Sequence, residues 1–219
     1  AVILFGCAAL VYWGVPAPRQ GAAAAGGARR TPWREVILVA LLVLGGSTHV
    51  FFLTAILPEV LPALGVDAAQ TLEVGGIVIF ASGVAAALGS LAAPRLAELA
   101  PERRLVAALL VGSSLLVGGL ALAGSVWPYG ILRFLQVLVI APMFPIVVAR
   151  IAQSAGGEAI GVINSARIGA AFLGPVLATS ILSWGPPALL YLALALMGLA
   201  CVPLAGLRGH VPAVTRAAR

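Results

Sequence analysis

Apolar residues run almost unbroken for about twenty positions at a time, six times over: 36–57, 72–93, 105–124, 128–149, 159–182 and 187–207. A helix of about 20 apolar residues crosses the roughly 30 Å hydrocarbon core of a bilayer. Lipid cannot satisfy open backbone groups, and a transmembrane barrel would show short alternating segments instead of continuous runs. The pattern predicts an all-α, polytopic membrane protein, with a six-helix transmembrane bundle over 36–207. The first fourteen residues, AVILFGCAALVYWG, are apolar but too short to cross, and they lack the basic start and small-residue cleavage site of a signal peptide. They read as the end of a truncated transmembrane helix. Residues 15–35, rich in Gly, Ala and Pro with four arginines and no periodicity, read as a linker, and 208–219 as a polar tail.

Composition agrees. Hydrophobic residues make up 62% of the 219, charged residues 9%, and the mean hydropathy is +1.12. Soluble domains carry about 25% charged residues, so a water-soluble globule and a disordered tail are excluded. Two distant cysteines, Cys7 and Cys201, exclude a disulfide scaffold.

Charge then orients the bundle. All thirteen basic residues are arginines. Eleven fall on one side of the alternating spans: four in 15–35, three in 94–104, Arg150, and three in the tail. Loops 58–71, 125–127 and 183–186 hold none, and carry Glu59 and Asp67 instead. The positive-inside rule makes the linker and the C-terminal tail cytoplasmic. The net charge of +6 is therefore a topology signal and not a sign of a nucleic-acid partner.

Two arginines remain inside spans, where an ionisable group is costly and a candidate for function. Arg133 lies about two turns from the outer end of its helix with Gln136 one turn further on the same face, so coupling or tertiary pairing competes with snorkelling to the interface. Arg167 lies eight residues into its span, about 12 Å deep. Asn164 shares its face and Ser165 is adjacent, so this stripe lines a cavity, pairs across helices, or snorkels. His49, beside Ser47 and Thr48 near the middle of the first span, titrates in a useful range and could carry a proton, or could simply bond to a neighbouring helix backbone. Glu73, opening the second span, could pair with Arg133, accept a proton from outside, or cap its helix.

No metal-ligand, phosphate-loop or dinucleotide motif is present, and the spans contain no Asp. An enzyme is not expected, nor a cofactor or a metal. Glycine is frequent within spans, and Pro142, Pro145 and the Gly174–Pro175 pair mark expected kinks.

Three segments carry a family resemblance. PRLAELAPERR, 94–104, resembles a degenerate form of the cytoplasmic Gly-x-Leu-Ala-Asp-x-x-Gly-Arg-Arg motif of the major facilitator superfamily, with Glu98 and the pair Arg103–Arg104 in the charged places. LRFLQ, 132–136, resembles its Arg-x-x-Gln-Gly signature, with Val137 in place of glycine. INSARIGAAFLGP, 163–175, resembles the fifth helix of a half in drug-efflux members, although Ala178 and Thr179 replace the glycine pair that would end that motif. The order of a helix stub, a basic linker and six spans matches the C-terminal half of such a carrier.

The resemblance implies secondary active transport of a small molecule, by proton-coupled efflux and alternating access against a missing N-terminal half. Arg133 and Gln136 are then assigned to coupling or charge pairing, Asn164 and Arg167 to the cavity, and Glu98, Arg103 and Arg104 to a cytoplasmic gate. The expected location is a bacterial inner membrane. An uptake permease for an organic anion or nutrient, or a non-transporting membrane scaffold with the same fold, are the rivals.

Overall fold

The computed structural model describes residues 33–154 and 157–206. The expected helix stub at 1–14, most of the 15–35 linker and the 208–219 tail lie outside the described residues. Within them the protein is all-α: α1 (Trp33–Phe51), α2 (Leu53–Ala63), α3 (Thr71–Leu99), α4 (Glu102–Leu120), α5 (Val126–Ile140), α6 (Met143–Ser154), α7 (Gly157–Leu182) and α8 (Pro187–Gly206). They make six membrane spans, Trp33–Ala63, Thr71–Leu99, Glu102–Leu120, Val126–Gln153, Gly157–Leu182 and Pro187–Gly206. The first and fourth spans are each divided, at Phe52 and at Ala141–Pro142.

Two boundaries differ from the expected ones for identifiable reasons. The 94–104 segment is not a loop: α3 continues through Pro94 to Leu99, and only Ala100 and Pro101 separate it from α4. Pro101 precedes the first turn of α4 in extended geometry (φ −54°, ψ 134°), which ends one helix and leaves the next free to start. At the other end, the first span reaches Ala63, six residues beyond its expected limit, and stops in a Schellman turn. Gly65 adopts φ +82°, the Gly65 N–H bonds to the Pro62 carbonyl, and the Val66 N–H bonds to that of Leu61 (both 3.1 Å). Leu61 and Val66 then pack together in the core.

Packing is governed by pairs of spans distant in sequence. α4 lies along α8, α1 along α7, α3 along α5, and α4 and α1 contact α5 and α8 respectively. Exchanging spans one to three with spans four to six maps this pattern onto itself: first-with-fifth becomes fourth-with-second, third-with-fourth becomes sixth-with-first, and third-with-sixth is unchanged. The two divided spans exchange as well. Because three spans form each unit, the units run in opposite directions through the membrane, the arrangement of an inverted repeat.

Apolar side chains fill the interior in two clusters. One, around Val36, Val39, Leu110, Val147 and Ile151, lies toward the arginine-bearing end. The other, around Phe52, Ile56, Leu61, Tyr129 and Leu190, lies toward the opposite end. α3 and α7 are the least buried spans.

Of the expected kinks, Pro142 falls in the break between α5 and α6, and Pro145 sits in the first turns of α6, where its missing N–H matters least. Gly174–Pro175 does not divide α7, which continues to Leu182. Gly174 instead permits a close approach. A Cβ there would lie 3.0 Å from the Phe52 nitrogen and 3.2 Å from the Phe51 carbonyl carbon, so α7 presses directly on the break in the first span. Gly174→Ala is therefore expected to lower stability by about 1–3 kcal/mol. Gly130→Ala, whose added methyl meets nothing within 4 Å, is expected to be neutral or stabilising by up to about 1 kcal/mol. Unfolding in detergent micelles checks both.

Candidate functional site

The division of the first span leaves α1 with an open carbonyl end inside the membrane. Arg133 of α5, 1% exposed, fills it. Its Nη1 donates to the His49 carbonyl at 2.7 Å and its Nη2 to the Val50 carbonyl at 2.5 Å. A cation at the negative end of a helix dipole is favourably placed, and desolvation strengthens the effect. The guanidinium also lies over the Phe52 ring, 5.0 Å from its centroid. Arg133 is thus neither snorkelling nor paired with Glu73, which is exposed at the start of α3.

From Arg133 a chain of hydrogen bonds runs through the core with its directions fixed by chemistry. Arg133 Nη1 donates to Gln136 Oε1, and Gln136 Nε2 donates to Ser113 Oγ at 2.9 Å. His49 Nε2 lies 2.9 Å from the Leu194 carbonyl oxygen, which can only accept, so Nε2 carries the hydrogen. In the uncharged ring Nδ1 then accepts from the Ser113 hydroxyl, 3.1 Å away. Four elements, α1, α4, α5 and α8, are joined by this relay. Gly198 makes room for it, since a Cβ there would overlap the His49 ring and Ser114 Oγ. Ser114 Oγ and Arg133 Nε are buried without partners among the described residues. Tyr129 and Tyr191 hydroxyls bond at 3.0 Å beside the same break, with Tyr191 edge-on to Phe52.

The second break borders a cavity of about 270 Å³ lined by Ser47, Val50 and Phe51 from the first break, Ala141, Phe144 and Pro145 from the second, Ser90 of α3, and Arg167 of α7. Arg167 stacks on the Phe144 ring at 4.5 Å. Asn164 and Ser165 are exposed on α7 and do not line it. A second cavity of about 480 Å³ shares Ser90 and Pro145 with the first and extends to Glu102 and Arg150 at the arginine-bearing end.

That end carries the ion pairs. Arg150, in the second half of α6, pairs with Glu35 in the first turn of α1, and with Glu102 in the first turn of α4 at 3.4 Å. Each acid is also well placed against its helix dipole. Glu98, Arg103 and Arg104, the expected gate, are all exposed; the Arg103 guanidinium lies against Gly206 of α8.

Ser113, Glu35, Glu102 and Arg150 were not singled out by sequence reasoning as site residues. The adjacent serines 113–114 inside an apolar run were the available signal for the relay. Among the described residues no group of three metal-ligating side chains occurs. Comparison with protein-family models and with curated proteins gives no match.

Arg133 and Gln136 act on the same break, so their removal should not add. Arg133→Met is expected to cost about 2–4 kcal/mol by stranding buried carbonyls. A cycle with Gln136→Leu is expected to give a coupling energy of about 1 kcal/mol or more in detergent unfolding.

Proposed function

We propose that the protein is a secondary active carrier of a small molecule, in which this six-span bundle forms one half of an alternating-access device. The observation that supports it is the pair of divided helices, one in the first span of each inverted three-span unit, meeting at a shared, mainly apolar cavity that also holds Ser47, Ser90 and Arg167. Interrupted helices in corresponding positions of two repeats are the arrangement that carrier sites use, because a break frees backbone groups and lets each repeat pivot. The exposed Asn164 and Ser165 within the fifth span support a second half: polar side chains at this depth need a protein or aqueous neighbour. The motif resemblance points to a major facilitator superfamily carrier of the efflux type, in a plasma membrane with the arginine-bearing end cytoplasmic.

His49 is the group proposed to couple transport to protons. Gaining one, its Nδ1 becomes a donor toward Ser113 Oγ, and the Ser113 hydrogen must turn away, for instance to a carbonyl of its own helix one turn back. Ser113 Oγ also holds the Gln136 amide, so the shift passes to Arg133 and the break it closes. Arg150, with Glu35 and Glu102, is proposed to latch the ends of the first, third and fourth spans, which makes it the gate in place of Arg103 and Arg104. No cofactor or ATP site enters this scheme.

The test is flux in vesicles holding the full-length protein, across a compound panel, with and without an imposed pH gradient. The expected result is gradient-driven accumulation that His49→Gln abolishes while exchange between equal pools persists. Correctly inserted protein that moves nothing defeats the carrier reading; accumulation untouched by His49→Gln defeats the proton role.

A further inference from the structure

We propose that the cavity between the two helix breaks binds a small organic anion, with Arg167 as the group that receives its charge and Phe144 as the platform beneath the guanidinium. Its transport rests on the carrier reading above; its binding does not.

The chain has seven acids, Glu35, Glu59, Asp67, Glu73, Glu98, Glu102 and Glu158. Four lie at or near helix termini on the arginine-bearing end, and three lie at the opposite end, in or beside the turn that joins the first two spans. None lies along the middle of a span. Arg167, ten residues into α7, is about 15 Å from that helix's start. Among the described residues no carboxylate therefore stands at its level. Arg133 is in the same position, but two carbonyls and the Gln136 side chain already receive hydrogen bonds from both of its terminal nitrogens. Arg167 has no such partners: among the described residues its one recorded contact of this kind is the Phe144 ring.

A guanidinium whose central carbon lies over an aromatic ring still has N–H groups to offer a carboxylate in a matching fork. The ring restrains the side chain in advance, which reduces the entropy lost on binding. Arg167 is exposed on the surface of this bundle; at this depth in a membrane an uncompensated charge is costly, and a bound anion lowers that cost.

The rest of the wall suits the same ligand. Ser47 and Ser90 offer hydroxyls, Phe51, Val50 and Phe144 offer apolar surface, and no acid lines the cavity, so a cation finds nothing to meet its charge. At about 270 Å³ the volume lies just below the range of drug-sized ligand pockets, about 300–1,000 Å³. One or two fused rings, or a short acyl chain bearing a carboxylate, match both size and polarity.

The experiment uses full-length protein in a neutral maltoside detergent and equilibrium dialysis with 2-naphthoate, against its uncharged analogue 2-naphthamide. Saturable naphthoate binding is expected, with the amide weaker and affinity for naphthoate falling about tenfold or more in Arg167→Gln, the loss of one charge-assisted contact. Arg167→Lys is expected to lie between, because it keeps the charge without the fork. Unchanged unfolding midpoints identify both variants as folded. Equal binding of acid and amide, or naphthoate binding untouched by Arg167→Gln, overturns the proposal. So does displacement of naphthoate by equimolar phosphatidylglycerol, which assigns the guanidinium to a lipid headgroup. A drop in unfolding midpoint in Arg167→Gln with no naphthoate binding in the parent also overturns it, since the counter-charge is then an acidic side chain of the second half. Binding with the expected pattern but no flux in vesicles leaves the anion site standing and defeats the carrier reading. Flux of uncharged or cationic compounds, indifferent to Arg167, does the reverse.

Discussion

A helix that stops inside a membrane leaves carbonyl oxygens with no water to turn to, and everything near the centre of this bundle follows from how that debt is met at Phe52. Arg133 meets it with a buried guanidinium bonded to the His49 and Val50 carbonyls. A charge is an expensive way to satisfy two acceptors, since moving it out of water costs several kcal/mol. The placement is favourable because the charge lies at a helix's negative end, over an aromatic face, and in a network whose members are largely satisfied. The break is held open from the other side by Gly174, which lets the α7 backbone reach Phe52. A small residue and a buried cation, on different helices, thus maintain one local irregularity.

That irregularity is duplicated. The two three-span units place a division in the first helix of each, and the cavity that holds Arg167 lies where the divisions face one another. The relay through Gln136, Ser113 and His49 ties the first division to α4 and α8, the pair with the most extensive mutual packing. A change of proton occupancy at His49 would therefore act on the hinge and on the rigid core together. The Arg150 cluster sits at the far end of the same cavity system, where release of an ion pair would let three span ends separate.

Much of this was legible in the chain and some was not, for definite reasons. Hydrophobic run length gave the six spans, and the one-sided arginines gave their alternation, which the Arg150–Glu35–Glu102 cluster at a single end agrees with. Arg133 and Gln136 on one helix face followed from their spacing of three. Pro142 announced the second break. Nothing announced the first, because Phe52 is an ordinary helix residue and the causes, Arg133 and Gly174, are 81 and 122 positions away in sequence. Backbone carbonyls carry no sequence signal, so the partners of Arg133 and the Leu194 anchor of His49 were invisible. Arg150 read only as a topology marker, since a cytoplasmic arginine and a latch arginine are the same residue. The emphasis on Arg103 and Arg104 came from a motif whose segment here folds as helix.

Alternating access requires the cavity between the breaks to change the side of the membrane it opens to. Ser90 lines both cavities, so Ser90→Cys, in full-length protein whose native cysteines are replaced, reports that directly through a membrane-impermeant maleimide added to either face. The expected result is labelling from one face at rest and from the opposite face under an imposed proton gradient, with the switch abolished in His49→Gln. Labelling confined to one face under every gradient, or none from either, would contradict it.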